Sequence, residues 1–201
     1  MHTYTDRFDS ALAYASRLHR KQKRKGSGVA YISHLLGVAA IAIENGADED
    51  QAIAALLHDA VEDQGGLTRL AEIRELYGDA VADIVADCTD DFDETKDRDV
   101  CPAAREAEWR ARKEKYLKSL ETKPERSLQV SLADKTHNAS AINADLRAHG
   151  EEVWNRFKGG KDGTLWYYRS LAAILTKRVS TPASARFARE VAEMEELASR
   201  A

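Results

Sequence analysis

The sequence has little of what staples or threads a small fold. Its two cysteines, Cys88 and Cys101, make neither a disulfide framework nor the paired spacing of a zinc site. Its three prolines, Pro102, Pro124 and Pro182, each fall where a helix would open. No valine- or isoleucine-rich alternating stretch appears, which excludes a sheet-based fold. No internal repeat appears, which excludes a solenoid. The N-terminus has no apolar signal run, and no apolar stretch approaches the roughly 20 residues of a membrane-spanning helix. The expectation is therefore no membrane partner and a reducing, cytoplasmic location. There is no excess of positive charge either. A net charge of −4 argues against a nucleic-acid backbone as the main partner.

What is present is ordinary helical material. Hydrophobic residues make up 43% and charged residues 32%, and 201 residues are enough for one domain with a real core. We expect an all-α fold, one domain over residues 1–201, with about eight to ten helices. Phe8, Ala11, Leu12, Ala15 and Leu18 predict a helix from 6 to about 22, ending in the basic run His19 to Lys25. Ser33 is the expected N-cap of the next helix, which Gly46 closes, and Asp48 or Asp50 opens the one that follows. Leu70, Ile73, Leu76 and Tyr77 mark a short helix closed by Gly78, and Val81, Ile84, Val85 and Cys88 carry the same period onward. The charged stretch Thr89 to Asp99 has no period and reads as a surface loop. Trp109, Tyr116, Leu117 and Leu120 mark a helix over about 103–120. Lys158 to Gly163 reads as a flexible turn before a helix with Leu165, Tyr168, Leu171 and Leu175 inward and Tyr167 and Arg169 off that stripe. Phe187, Val191, Met194 and Leu197 mark the terminal helix.

The chemistry concentrates at Leu56-Leu57-His58-Asp59-Ala60-Val61-Glu62-Asp63, where an apolar helix runs into an imidazole and three carboxylates. Adjacent residues do not share a helical face, so His58 and Asp59 can grip one ion together only at a helix end or kink. Carboxylates at the edge of a core are seldom left uncompensated, and a divalent cation is the simplest partner. Two further residues sit in similar settings. His34 lies in the first turn of a helix, where the dipole disfavours its protonated form and suits a neutral ligand. Asp134 lies in Leu128-Gln129-Val130-Ser131-Leu132-Ala133-Asp134, a helix apolar on several sides and so central, with Asn138 one turn on.

This order of a histidine, a His-Asp pair and a late aspartate resembles the HD superfamily of metal-dependent phosphohydrolases. The nearer likeness is to the Rel/Spo-type alarmone hydrolases in their short form, the small alarmone hydrolases. It is carried by Lys23-Arg24-Lys25-Gly26-Ser27-Gly28-Val29-Ala30-Tyr31-Ile32-Ser33-His34, by Leu56 to Asp63, and by Leu132-Ala133-Asp134-Lys135-Thr136-His137-Asn138. Two positions depart from the usual pattern, Ala30 and Leu35, where those enzymes often have proline. The resemblance implies that His34, His58, Asp59 and Asp134 bind one divalent ion, typically Mn2+, that activates water. It implies that Glu62 and Asp63 are the catalytic pair. We assign Glu62 to acid/base work on the water or leaving group and Asp63 to orienting that network, and the sequence leaves open which of the two moves the proton. It places Arg24, Lys25 and Asn138 against the substrate, guanosine tetra- or pentaphosphate (ppGpp or pppGpp), cut to GDP or GTP and pyrophosphate. Tyr167 and Arg169 read either as ribose or phosphate contacts or as plain surface residues. Another HD phosphohydrolase acting on nucleotides, a (p)ppApp hydrolase or a nucleotidase, is the alternative that shares the same four ligands.

Overall fold

The computed structural model describes residues 3–89 and 101–200, apart from the side chains of residues 102 and 103. Among the described residues there are ten α-helices, one 3-10 helix and no strand, so the fold is all-α. Beyond Thr89 the expected loop to Asp99 lies outside the described residues. Thr89 itself is buried, and its hydroxyl donates to the Val85 carbonyl at 3.0 Å. The chain packs as two units, one of residues 1–94 and 124–134 and one of residues 95–123 and 135–201.

The first unit holds α1 (Asp6–Leu18), α2 (Ile32–Glu44), α3 (Glu49–Leu57), α4 (Ala60–Asp63), α5 (Gly66–Tyr77), α6 (Asp79–Cys88) and the start of α8 (Glu125–His149). Its centre is α3, in which every side chain from Gln51 to Leu57 is buried. A helix apolar on all sides must be surrounded, and α1, α2 and α6 all pack on it. Asp48 starts α3 with a reciprocal cap. Its carboxylate accepts from the Gln51 backbone at 3.0 Å, and the Gln51 amide oxygen accepts from the Asp48 backbone at 3.1 Å. The other end of the Gln51 amide donates to the Arg126 carbonyl at 3.1 Å and to Gln129 Oε1 at 2.6 Å. That buried amide sets the register between α3 and the first turns of α8, and so the height at which Asp134 meets His58. Leu56 is fully buried in this core. Leu56→Ala is therefore expected to destabilise the protein by about 2–5 kcal/mol, seen as a lower midpoint in urea with an unchanged slope.

Three expectations are corrected here. The first helix ends at Leu18 rather than near 22, because the basic run after it turns back on itself. Gln22 accepts from the Tyr31 backbone at 3.0 Å, Lys23 pairs with Ala30 in an isolated antiparallel bridge, and Arg24 donates from its backbone to Val29 at 2.8 Å. Ser33 is not an N-cap. It lies inside α2, whose cap position is Tyr31 without a side-chain cap bond. Leu76 is half exposed, because Ile73 and Tyr77 already fill the buried face of α5.

The second unit holds α7 (Pro102–Ser119), the rest of α8, a 3-10 helix (Gly150–Arg156), α9 (Gly160–Arg178) and α10 (Pro182–Arg200). The expected flexible turn at Lys158 to Gly163 is largely the start of α9. Its glycines serve close approach instead. A Cβ at Gly159 would stand 2.4 Å from the Trp109 ring and one at Gly163 would stand 2.9 Å from it. The turn that follows α7 is held from α9, where Arg178 donates to the carbonyls of Leu120 at 2.7 Å, Lys123 at 2.9 Å, and Glu121.

Candidate metal centre

The helical run through His58 and Asp59 is interrupted at those two residues. His58 closes α3 and Asp59 opens α4, with φ −93° and ψ −3° at Asp59. The break is slight, since the Asp63 backbone still donates to the Asp59 carbonyl at 2.9 Å. It is enough to turn two neighbouring side chains toward one point. His34 arrives from the first turn of α2 and Asp134 from α8. His34 Nε2 lies 3.4 Å from Asp59 Oδ2 and 3.2 Å from Asp134 Oδ1. His58 Nε2 lies 2.9 Å from Asp59 Oδ2 and 3.5 Å from Asp134 Oδ1. Donor atoms of His34, His58 and Asp59 all lie within 4.8 Å of one another, and both histidines and Asp134 are buried.

The protonation pattern suits a cation. His58 Nδ1 is 2.9 Å from the Ala55 carbonyl, which accepts only, so Nδ1 carries a hydrogen. In the neutral ring Nε2 then presents a bare lone pair. It is buried and makes no hydrogen bond, although Asp59 Oδ2 is 2.9 Å away. Two lone-pair atoms stay that close only with positive charge between them. Donors on adjacent corners of an octahedron with bonds of roughly 2.1 Å stand about 3 Å apart, which is the spacing seen. Two imidazoles and two carboxylates fit a divalent first-row ion.

Without metal, a proton takes that role. Burial works to lower the His58 pKa, but the carboxylates of Asp59 and Asp134 outweigh it and hold the imidazole well above its usual 6.5. Burial works to raise Asp59, but His58 and His34 outweigh it and hold the carboxyl well below the usual range. Because the folded His58 pKa is raised, its stabilisation is complete below about 6.5 and is lost as pH rises through the folded value. A metal needs the lone pair that this proton occupies, so binding expels it. Below the folded pKa, apparent affinity should rise about tenfold per pH unit. Titration calorimetry in two buffers of different ionisation enthalpy should register about one proton released per ion. Equal heats in both buffers would contradict this.

Glu62 and Asp63 follow on α4, Glu62 half-buried and Asp63 exposed. Arg24 is half-buried and Lys25 exposed, both in the short hairpin before α2. In the second unit Asn138 is half-buried on α8. Tyr167 was expected off the core stripe of α9 and is instead buried, its ring edge-on to Trp109 at 6.4 Å with the Lys113 ammonium 4.9 Å over its face. Arg169 is exposed and paired with Glu195.

Three residues that the sequence reading passed over stand directly behind the centre. The Tyr31 hydroxyl donates to Asp59 Oδ2 at 2.7 Å. Burial, with the Asp59 charge, pushes this phenol far above its usual range, so it stays a donor. His19 is buried and stacks on the Tyr31 ring at 5.3 Å, and burial lowers its pKa. Gln22 donates to Asp63 Oδ2 at 2.8 Å. The available signal was that Tyr31 precedes His34 by one helical turn. His19 was hidden inside a run of cations.

Residues 11–165 match the HD domain family, a stretch that runs through both packed units. The chain belongs to the HD domain family. Among relatives of this HD domain chain, the guanosine-3′,5′-bis(diphosphate) 3′-pyrophosphohydrolase MESH1 of Danio rerio is 35% identical over 136 residues, 65% of this chain and 66% of that protein. The guanosine-3′,5′-bis(diphosphate) 3′-pyrophosphohydrolase of Aquifex aeolicus (strain VF5) is 41% identical over 86 residues, 43% of this chain and 12% of that protein. This chain thus spans less than two thirds of the length of either relative. The solved structure of a metazoan ortholog of SpoT that hydrolyses ppGpp shares the fold, with a TM-score of 0.71 at 23% identity over 98% of this chain and 97% of that one. No helix among the described residues is long and apolar enough to cross a membrane.

Proposed function

We propose that this HD domain chain is a manganese-dependent guanosine-3′,5′-bis(diphosphate) 3′-pyrophosphohydrolase. In this reading it acts in the cytoplasm as one domain over residues 1–201, on a small nucleotide. The observation that carries a metal-dependent hydrolase is the four-donor cluster, with the buried lone pair of His58 Nε2 facing Asp59 Oδ2 at 2.9 Å. The relatives in Danio rerio and Aquifex aeolicus, which bear that name, support the choice of substrate.

His34, His58, Asp59 and Asp134 hold the ion. When bound, it supplies Lewis acidity and lowers the pKa of water at the reacting phosphorus. Manganese fits the mixed nitrogen and oxygen set, in which no thiolate competes for a softer metal. The reaction is balanced simply. Water attacks the phosphorus on the ribose 3′ oxygen, that P–O bond breaks, pyrophosphate leaves with the new oxygen, and the ribose oxygen takes a proton. Glu62 holds and moves that proton, and Asp63 orients the network around it. Arg24 and Lys25 bring positive charge to the phosphates as charge builds on the departing oxygens. Asn138 is assigned to the nucleotide by resemblance, and Tyr167 and Arg169 are assigned to its ribose or phosphates. For Arg169 this requires exchange of its Glu195 partner.

The test is a product assay with Mn2+ on ppGpp, its adenosine counterpart and simple nucleotides. Pyrophosphate and GDP from ppGpp, with slower or no turnover of the others, is the expected result. Orthophosphate release, or preference for a simple nucleotide, would replace this reading with that of another HD phosphohydrolase.

A further inference from the structure

Behind the candidate centre, the first unit carries a layer of side chains whose bonds point at both halves of the chemistry. Asp59 Oδ2 is the carboxylate oxygen nearest His58 Nε2, at 2.9 Å, and it also lies 3.4 Å from His34 Nε2. The same oxygen accepts the Tyr31 hydroxyl at 2.7 Å. A carboxylate oxygen has two lone pairs in its plane, so one is tied to Tyr31 and the other is left toward the imidazoles. The Tyr31 ring is itself fixed on two sides. It stacks on His19 at 5.3 Å and 18°, and it meets the His34 ring edge-on at 5.5 Å and 72°.

His19 extends the layer to the acid/base side. Its Nδ1 lies 2.7 Å from Gln22 Oε1, and Gln64 donates to that same oxygen at 2.6 Å. Both lone pairs of the Gln22 carbonyl are then occupied, so the amide cannot turn over. Its NH2 must face Asp63, to which it donates at 2.8 Å. His19 is thus pinned at its ring face by Tyr31 and at its edge by Gln22.

We propose that Tyr31 and Gln22, locked together by His19, are positioning residues. Tyr31 aims one oxygen of Asp59 at the metal, and Gln22 aims Asp63 within the acid/base pair. This rests on the metal-dependent hydrolase reading above. The role is that of a partner outside the ligand set, which orients ligands and tunes their strength, and loss of such a partner costs roughly 10–100-fold in metal affinity or activity.

The two arms predict different readouts on the full chain. Tyr31→Phe keeps the ring that stacks on His19 and removes the donor to Asp59. Mn2+ affinity, measured directly by calorimetry or by the free-ion EPR signal, should fall about 10–100-fold. Gln22→Leu should leave Mn2+ affinity within about twofold and lower kcat on ppGpp at saturating Mn2+ by about tenfold or more. Circular dichroism with thermal melting of each variant establishes that it is folded. Mn2+ binding by Tyr31→Phe within about twofold of the parent overturns the first arm, and a Gln22→Leu kcat equal to the parent's overturns the second. Failure of the parent itself to bind any divalent ion would overturn the metal reading and this proposal with it. A parent that binds Mn2+ and weakens on Tyr31→Phe, yet leaves ppGpp intact, would support the first arm while rejecting the substrate.

Discussion

Asp59→Ala should abolish divalent-metal binding and turnover together. Asp59 Oδ2 is the point on which three side chains converge, since His58, His34 and Tyr31 all reach it within 3.4 Å. Removing it subtracts one of four donors and leaves the Tyr31 hydroxyl facing a void. It also removes half of the negative charge that holds two imidazoles beside one ion. The loss in affinity should exceed the roughly 10–100-fold that follows from losing an outer partner. The clearest measurement is the shift in melting temperature on adding Mn2+. An ion at 100 times its dissociation constant stabilises the native state by about 2.7 kcal/mol, and that increment should vanish in the variant. Metal-free Asp59→Ala should also lower the His58 pKa relative to the parent, because one of the two carboxylates that outweigh burial is gone. A variant that keeps the metal-induced shift would show that the ion, if any, sits elsewhere.

The parts of this centre that are legible in the sequence are those set by local rules. The His58–Asp59 dipeptide at the end of an apolar run requires a break if both side chains are to serve one ion, and α3 does stop there. Asp48 as a helix start, and glycines at 46 and 78 after helix ends, follow from capping and from positive φ. The misreadings have a common cause, which is that a residue's burial is decided by elements distant in sequence. Gly159 and Gly163 look like a turn locally, yet they are small because the Trp109 indole, some fifty residues earlier, lies against them. Tyr167 is buried because α7 supplies that same indole and the Lys113 ammonium. His19 sits in a basic run that reads as solvated, and it is buried because Tyr31 and Gln22 return over it. Tyr31 finds Asp59 across 28 positions, a separation that no periodicity reports.

Glu62→Gln should do the opposite of Asp59→Ala, sparing the metal and stopping the reaction. Glu62 is placed one turn beyond His58 by the backbone bond that carries the helix through Asp59 to Asp63 at 2.9 Å. It is therefore held beside the donor cluster without being among the four converging atoms. The amide matches the carboxylate in shape and cannot take or give up a proton at that oxygen. A positioned acid/base group contributes about 10²–10⁴-fold, so kcat should fall by that factor while Mn2+ affinity stays within about twofold. One limb of the pH profile of kcat should disappear with it, because that limb reports the ionisation of the lost group. Asp63→Asn should behave more mildly, since Asp63 is exposed and already spends one oxygen on Gln22 at 2.8 Å. If Glu62→Gln keeps full activity and Asp63→Asn loses it, the two carboxylates exchange roles and the proton passes through Asp63. Full activity in both would remove the pair from the mechanism and leave proton transfer to solvent.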